Sequence, residues 1–475
     1  MDEAPSSASR EILSTAHELG WNLPPDLNDK ITEAIYAESS AIAGRRIHRR
    51  SGTMRLAWQE GLDRLLTGRW TGIPVMLFIL GIVLWITIIG ANYPSSMLAD
   101  LLLDRGWTAL RAAVASTGLP VWLGGILVDG MYLTTAWVIS VMLPPMAIFF
   151  PLFTILEDFG YLPRVAFNLD RLFKAVGAHG KQALTMSMGL GCNAAGVVAC
   201  RIIDSPRERL IAIVTNNFAL CNGRWPTQML IASVFVGGLF PPAMAGVAAA
   251  GAVMAVAALG FILAWIASFA LSRTVLRGEA STFSLELPPY RPPNILRTLY
   301  TSIIDRTVFV LFRAVVFALP AGALIWLIAN VHVSGQSIAH WMVSALDGPG
   351  WWLGLNGVIL VAYIVAIPAN EIIIPTVLML TVLLTGQAGA GPGVMFEVEE
   401  ADRFREILGA GGWTALTGVC LMIFSLCHNP CSTTIYTIWK ETRSARWTAL
   451  ATLLPFVPGV VLCGLLAFIW RSMAG

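Results

Sequence analysis

The stretch MGLGCNAAGVVACR (188–201) is apolar enough for a membrane interior, yet it is built from small residues around Cys192-Asn193. Glycine and asparagine weaken a helix, and a broken helix in lipid strands backbone N–H and C=O groups without partners. Such a break is tolerated only where the backbone is buried in protein or lines a wet cavity. Two arrangements meet that condition: a re-entrant hairpin turning at Cys192-Asn193, or a tightly packed pair of small-residue helices. Either one places the stretch inside a polytopic membrane protein.

Composition points the same way. Of 475 residues, 56% are hydrophobic and 13% charged, with a mean hydropathy of +0.69; soluble domains carry roughly 25% charged residues. A membrane core needs about 20 mostly apolar residues per helix, and Ile73–Ala91, Ala243–Leu271, Val308–Ile328 and Trp447–Ile469 qualify. The first 69 residues are polar, so the first apolar run lies too far in for a secretory signal. The chain reads as inserted and not exported, and its net charge of +2 gives no reason to expect a nucleic-acid partner. Seven cysteines, all in apolar or junction segments, argue against an extracellular disulfide framework.

The lead 1–69 is expected to be cytosolic and helical. Pro24-Pro25 separates two helical patterns, Ile31, Ala34, Ile35 and Ile42 share a face, and Leu56, Trp58, Leu62 and Leu65 suggest an interfacial amphipathic helix. Nine Lys and Arg residues in the lead predict a cytoplasmic N-terminus. The remainder divides into a first span and external loop (70–136), a first gate (137–240), a linking membrane region with a cytoplasmic loop (241–306), a second gate (307–440) and a C-terminal span (441–475). A second span near Met131–Phe153 is expected to break at Pro144-Pro145. The acidic loop 386–411 takes no side by the charge rule.

Two more apolar regions are interrupted. In IPANEIIIPTVL (367–378), Glu371 stands between Pro368 and Pro375; an acid at the bilayer centre costs at least about 2.5 kcal/mol, so it is partnered, functional or near the edge. In SLCHNPCSTT (425–434), Cys427, His428, Asn429 and Cys431 fall together with four hydroxyl residues. TNNFALCNGRWPT (215–227) has the same order of Leu-Cys, Asn, Pro and Thr. One broken hairpin and one Cys/Asn break per half hint at internal duplication, with repeats meeting at a midplane site. Polar residues gluing helices, with cysteine as a small hydrophobe, would look similar.

Thiolates select transition metals over Mg²⁺ and Ca²⁺. A permeation site must also release its ion, and a few cysteines among Asn, Ser and Thr oxygens suit weak binding at several points. Spacing does not choose among Fe²⁺, Mn²⁺, Co²⁺ and Zn²⁺. No C-x₂-C zinc pattern occurs, and no P-loop: Gly180-Lys181 is followed by Gln182 and position 175 is Ala. Neither a permanently bound cofactor nor a GTP site is expected in this chain, which reads as a transporter and not an enzyme.

These same residues resemble the membrane portion of the FeoB ferrous-iron transporters from about Asp29 to the C-terminus. The motifs are LEDFGYLPRVAFNLDRLFKAVGAHGK (156–181), GLGCNAAGVVACRIIDSPRERL (189–210), TNNFALCNGRWPT, IPANEIIIPT and HNPCSTTIYTIWKETRSARW. The resemblance implies an all-α polytopic protein of the bacterial cytoplasmic (inner) membrane, with two gate-type repeats containing re-entrant or broken helices. It implies Fe²⁺ as transported substrate, passing near Cys192 in the first gate, Glu371 in the second and Cys431 in NPCSTT. Asn193, Cys221, Cys427 and His428 are adjacent candidates. Many relatives read G-C-N-V-P where this chain has Ala194-Ala195. Family members usually carry an N-terminal G-protein domain, and this chain is expected to begin just after it, with DKITEAIYAESSAIAGRRI as the tail of the joining helical segment. The G domain is then either encoded separately or cut off by a truncated start; expected partners are the lipid bilayer, a separate G-protein subunit on the first account, and a small cytosolic accessory protein, and a homo-oligomer is compatible. The rival readings are a carrier of an organic solute such as a nucleoside, and a non-transporting membrane partner or sensor for a G protein.

Overall fold

The computed structural model describes residues 27–46, 54–68, 70–278, 294–386 and 401–474, together with Thr15, Tyr290, residues 393–396 and Val398. Pro24-Pro25, Arg49-Arg50 and the acids Glu397, Glu399 and Glu400 lie outside the described residues, as do the side chains of Leu56 and Trp58. The described residues are mostly helical, and their β-structure is a single short hairpin, His332–Val333 with Gln336–Ser337. Six helical stretches are long and apolar enough to cross a membrane, or seven if a pair bent by 112° (Ile338–Trp352 and Gly357–Val365) forms one span.

The lead forms α1 (Leu27–Arg46) and α2 (Met54–Thr67). Ile31, Ile35 and Ile42 on α1 are exposed, whereas Leu62 and Leu66 of α2 pack against the core. The first span, α3 (Gly72–Ala99), continues without a loop through a π-helical turn (Asp100–Gly106) into α4 (Trp107–Ser116). A turn at Thr117–Pro120 reverses the chain, which returns through Val121–Tyr132 into α5 (Leu133–Asp158). The expected external loop is thus a helical hairpin. Trp107 Nε1 donates to Asp129 across it at 2.8 Å, and Tyr132 donates to the Leu102 carbonyl at 2.9 Å. The expected break at Pro144-Pro145 does not occur: α5 runs through both, and through Pro151. Its packing over most of its length, with Phe149, Phe150 and Phe153 buried, supplies the stability that the missing N–H bonds remove.

Beyond α5 come α6 (Tyr161–Lys174), α7 (Lys181–Gly191) and α8 (Asn193–Ala199). A long apolar helix, α9 (Pro242–Arg273), links the halves. The second half contains α10 (Phe309–Asn330), α11 (Ile373–Thr385), α12 (Ala415–Cys427), α13 (Ser432–Thr442), α14 (Ala445–Leu453) and α15 (Phe456–Ala474). One continuous core joins residues of both halves, including Met186, Val197, Ile211 and Phe218 with Ile372, Val377, Leu421 and Phe424. A smaller cluster packs α2, α3, α5 and α6 around Phe149 and Phe153.

Candidate functional site: two facing helix breaks

Cys192 separates α7 from α8 in an extended conformation, φ −152° and ψ 120°. The chain turns back here: a Cβ on Gly196 would lie 2.7 Å from the Thr185 carbonyl oxygen of α7, so only glycine lets the two helices approach this closely. The hairpin arrangement therefore holds. Asn193, buried at the turn, fits with its amide nitrogen donating to Gly189 at 3.0 Å and Ala219 at 3.2 Å. Its own carbonyl accepts from Asn216 Nδ2 at 3.0 Å. The backbone groups freed by the break are thus served by asparagine amides, as a polar turn at membrane depth requires.

The second half repeats this geometry. Ala369 breaks the chain with φ −152° and ψ 122°, ahead of a single 3₁₀ turn, Asn370–Ile372, that leads into α11. Ala369-Asn370 therefore occupies the place of Cys192-Asn193. Each break is clasped by a backbone bond from a neighbouring loop: Asn222 N donates to the Gly191 carbonyl at 3.1 Å, and Ser432 N to the Ile367 carbonyl at 2.9 Å. These clasps put Cys221 and Cys431 in matching positions, one residue before the donor, whereas the Leu-Cys similarity in sequence pairs Cys221 with Cys427.

The two breaks meet. A Cβ on Gly223 would fall on the Glu371 carboxylate, so glycine there makes room for the acid. Asn370 Nδ2 lies 4.0 Å from Cys221 Sγ. Cys221 lies within electrostatic reach of Cys192, Cys431 and Glu371, and Cys431 within reach of Cys192 and Glu371. Cys192, Glu371 and Cys431 keep part of their surface accessible, while Asn193, Cys221, Cys427 and His428 are buried. Cys431 caps the start of α13, with its sulfur 3.3 Å from Thr434 Oγ1.

Two candidates are placed differently. Cys427, the last residue of α12, packs toward the C-terminal helix, where a Cβ on Gly459 would lie 2.7 Å from its own Cβ. His428 is engaged at both ring nitrogens, Nδ1 at 2.8 Å from the Ser425 carbonyl and Nε2 at 3.1 Å from the Asn370 amide. The Ser425 carbonyl can only accept, so Nδ1 carries the proton. Among the described residues, no group of three or more His, Cys, Asp or Glu side chains is arranged to hold a metal ion.

The sequence reading missed Arg224, which is almost fully buried. Its guanidinium donates to the carbonyls of Asn217 (3.2 Å) and Leu426 (2.9 Å) through Nη1, and of His428 and Asn429 (3.4 Å each) through Nη2. One cation thus ties the first-gate loop to the C-terminal end of α12. Gln228 to the Met422 carbonyl and Asn217 to the Ala451 carbonyl, both at 2.8 Å, add two more buried ties between the halves. An arginine within an apolar stretch is itself a signal of a functional or paired residue.

Comparison with known proteins fits this architecture. The Gate family, described as "Nucleoside recognition", matches residues 139–235 and 311–445, and the family described as "Ferrous iron transport protein B C terminus" matches residues 253–305. The chain is 29% identical over 414 residues to the protein named Fe(2+) transporter FeoB of Staphylococcus aureus (strain MSSA476), covering 84% of this chain and 57% of that protein. It is 26% identical over 405 residues to the same-named protein of Campylobacter jejuni, covering 82% and 61%. With that of Salmonella typhimurium (strain LT2) it shares 32% identity over 243 residues, covering 50% and 29%. The chain thus spans less than two thirds of the length of the curated relatives it matches. No solved structure matches it. The two Gate segments coincide with the two broken-helix regions and the third match with the segment between them, so the chain belongs to the FeoB ferrous iron transport family, whose membrane portion it carries.

Proposed function

We propose that this chain conducts Fe²⁺ across the bacterial cytoplasmic membrane along the seam between its two helix breaks. The observation that carries the reading is the pairing itself: two breaks of matching backbone geometry, with Cys192, Glu371 and Cys431 partly accessible at their meeting point. Soft sulfur and one carboxylate favour a divalent transition metal. With no side-chain set of three or more donors closed around one point among the described residues, the ion binds to one or two side chains at a time and completes its shell from water and backbone or amide oxygens such as that of Asn193. That arrangement suits passage better than storage. Cys221 lies just behind the seam, and Cys427 and His428 hold the second break in shape. The N-terminus faces the cytoplasm, where a G protein and a small accessory protein gate the path.

The test is entry of radioactive ferrous iron into liposomes holding the purified chain, under reducing conditions, beside Cys192→Ser, Cys431→Ser and Glu371→Gln. Flux that falls at least tenfold in the variants supports the pathway. Parent flux that all three variants retain sinks it. Flux appearing only after a G protein is added identifies the gate. The "Nucleoside recognition" description of the Gate family favours an organic-solute carrier as the second reading; uptake of radiolabelled nucleoside, insensitive to the cysteine variants, would select it.

A further inference from the structure

We propose that the cavity between α8, α10 and α13 binds an anionic phospholipid. It measures about 610 Å³, within the usual range of small-ligand sites of about 300–1,000 Å³. Its walls are apolar, including Leu162, Met188, Val198 and Phe309, and both Val198 and Phe309 are exposed. Five cations and two carboxylates edge it. Both carboxylates are already committed: Glu441 to Arg201 through two bonds of 2.7 and 2.8 Å, and Glu157 to Arg306 at 3.4 Å. Lys181 pairs with Asp204 at 2.9 Å. Arg313 of α10 and Lys440 of α13 remain, with no carboxylate partner among the described residues. The cavity therefore offers two uncompensated cations above an apolar floor.

A free anion would have no use for that floor, and an acidic peptide would leave it bare. A diacyl phospholipid fits both features. A second groove of about 680 Å³ lies between α10, α13 and α14, past Phe317, Tyr436, Trp439 and Leu453, and Arg313 lies 6.0 Å from the Tyr436 ring beside it. A phosphate held by Arg313 and Lys440 thus has apolar channels on both sides for its chains. Basic pockets between membrane helices recognise acidic headgroups in this way. Ala194, Ala195 and Val198 of α8 form one wall, so the occupant braces the helix that starts at Cys192.

The experiment is native mass spectrometry of the full chain in non-ionic detergent, titrated with phosphatidylglycerol or phosphatidylcholine. At about 1 kcal/mol per Lys or Arg, two cations give a roughly 30-fold preference for phosphatidylglycerol. That preference collapses in the double variant Arg313→Gln, Lys440→Gln. It survives in the control Arg277→Gln, which changes an exposed arginine past the end of α9 and outside the cavity lining. In Val198→Trp both lipids are lost because the floor is filled. Equal retention of the two lipids by the parent overturns the proposal. So does a double variant that keeps the preference. Displacement of phosphatidylglycerol by inorganic phosphate or by an octaglutamate peptide at similar concentration also overturns it, and marks a free-anion or acidic-segment site instead.

Discussion

At the scale of single residues, Arg224 has the most to say about how two gates become one seam. A buried guanidinium is costly unless its donors are met, and here four backbone carbonyls from both halves meet its two terminal nitrogens, while Nε is left without a partner. Arg224→Met removes the donor and leaves those carbonyls dry. The expected loss is at least one charge-assisted bond, about 1.5–3 kcal/mol, read as a lower unfolding midpoint in detergent. Arg224→Lys recovers only part, because a single ammonium cannot reproduce the fork. Cys192, Glu371 and Cys431 were legible in the sequence, since soft or charged side chains stand out in apolar stretches. Arg224 and Asn370 lie inside the same set of motifs, but their roles carry no such mark. Their partners are backbone carbonyls and a histidine from 7 to 205 residues away, and a backbone carbonyl leaves no mark on a sequence. The same limit explains why Cys427 looked equivalent to Cys221: the Leu-Cys similarity is local, whereas the clasps that pair Cys221 with Cys431 are made in space.

At the scale of elements, the sequence predicts the helices well because apolar length and breaker residues act locally. It fails where packing overrides them, as at Pro144-Pro145 in α5. The joint between the lead and the first gate was also out of reach. Arg164 of α6 bonds Asp63 of α2 at 2.6 Å and stacks 3.7 Å over the Tyr290 ring, and the Tyr290 hydroxyl donates to the same Asp63 oxygen at 2.8 Å. Asn168 adds a 2.7 Å bond to the Leu66 carbonyl. Burial works against the Asp63 carboxylate, but the bonds from Arg164 and Tyr290 outweigh it and hold its carboxyl below the ordinary 3.8. A carboxyl lowered on folding stabilises the joint fully above its unfolded value, and that contribution fades as pH falls through the folded value. Proteolytic cleavage between α2 and α3 should therefore rise only below about pH 4, where a low-pH protease such as pepsin can report it. Asp63→Asn should show the exposed pattern already at neutral pH. Asp63 is 38% exposed, so after solvent screening the effect is small, about 0.2–1 kcal/mol.

At the scale of the whole molecule, the halves are joined by buried ties near the breaks and, at the surface, by the pairing of Arg201 with Glu441. Arg201, just past the first gate hairpin, meets Glu441 near the end of α13 through two parallel bonds. Arg201→Glu and Glu441→Arg should each lower stability, and the double reversal should restore most of it. A coupling of about 0.5–1 kcal/mol in a double-mutant cycle of unfolding midpoints is expected for a bidentate pair that is exposed on one side. No coupling would mean that the buried ties alone hold the halves in register. The helical hairpin Gly72–Asp158 bears on how any of these experiments is interpreted. Its ascending limb is 45 residues long, about 68 Å at 1.5 Å per residue, against a bilayer core of about 30 Å. The turn at Thr117–Pro120 therefore stands well clear of the lipid, at the end remote from α2. An epitope or protease site placed there would report, vesicle by vesicle, which way round the protein has inserted, so that uptake and efflux could be counted separately in a population of mixed sidedness.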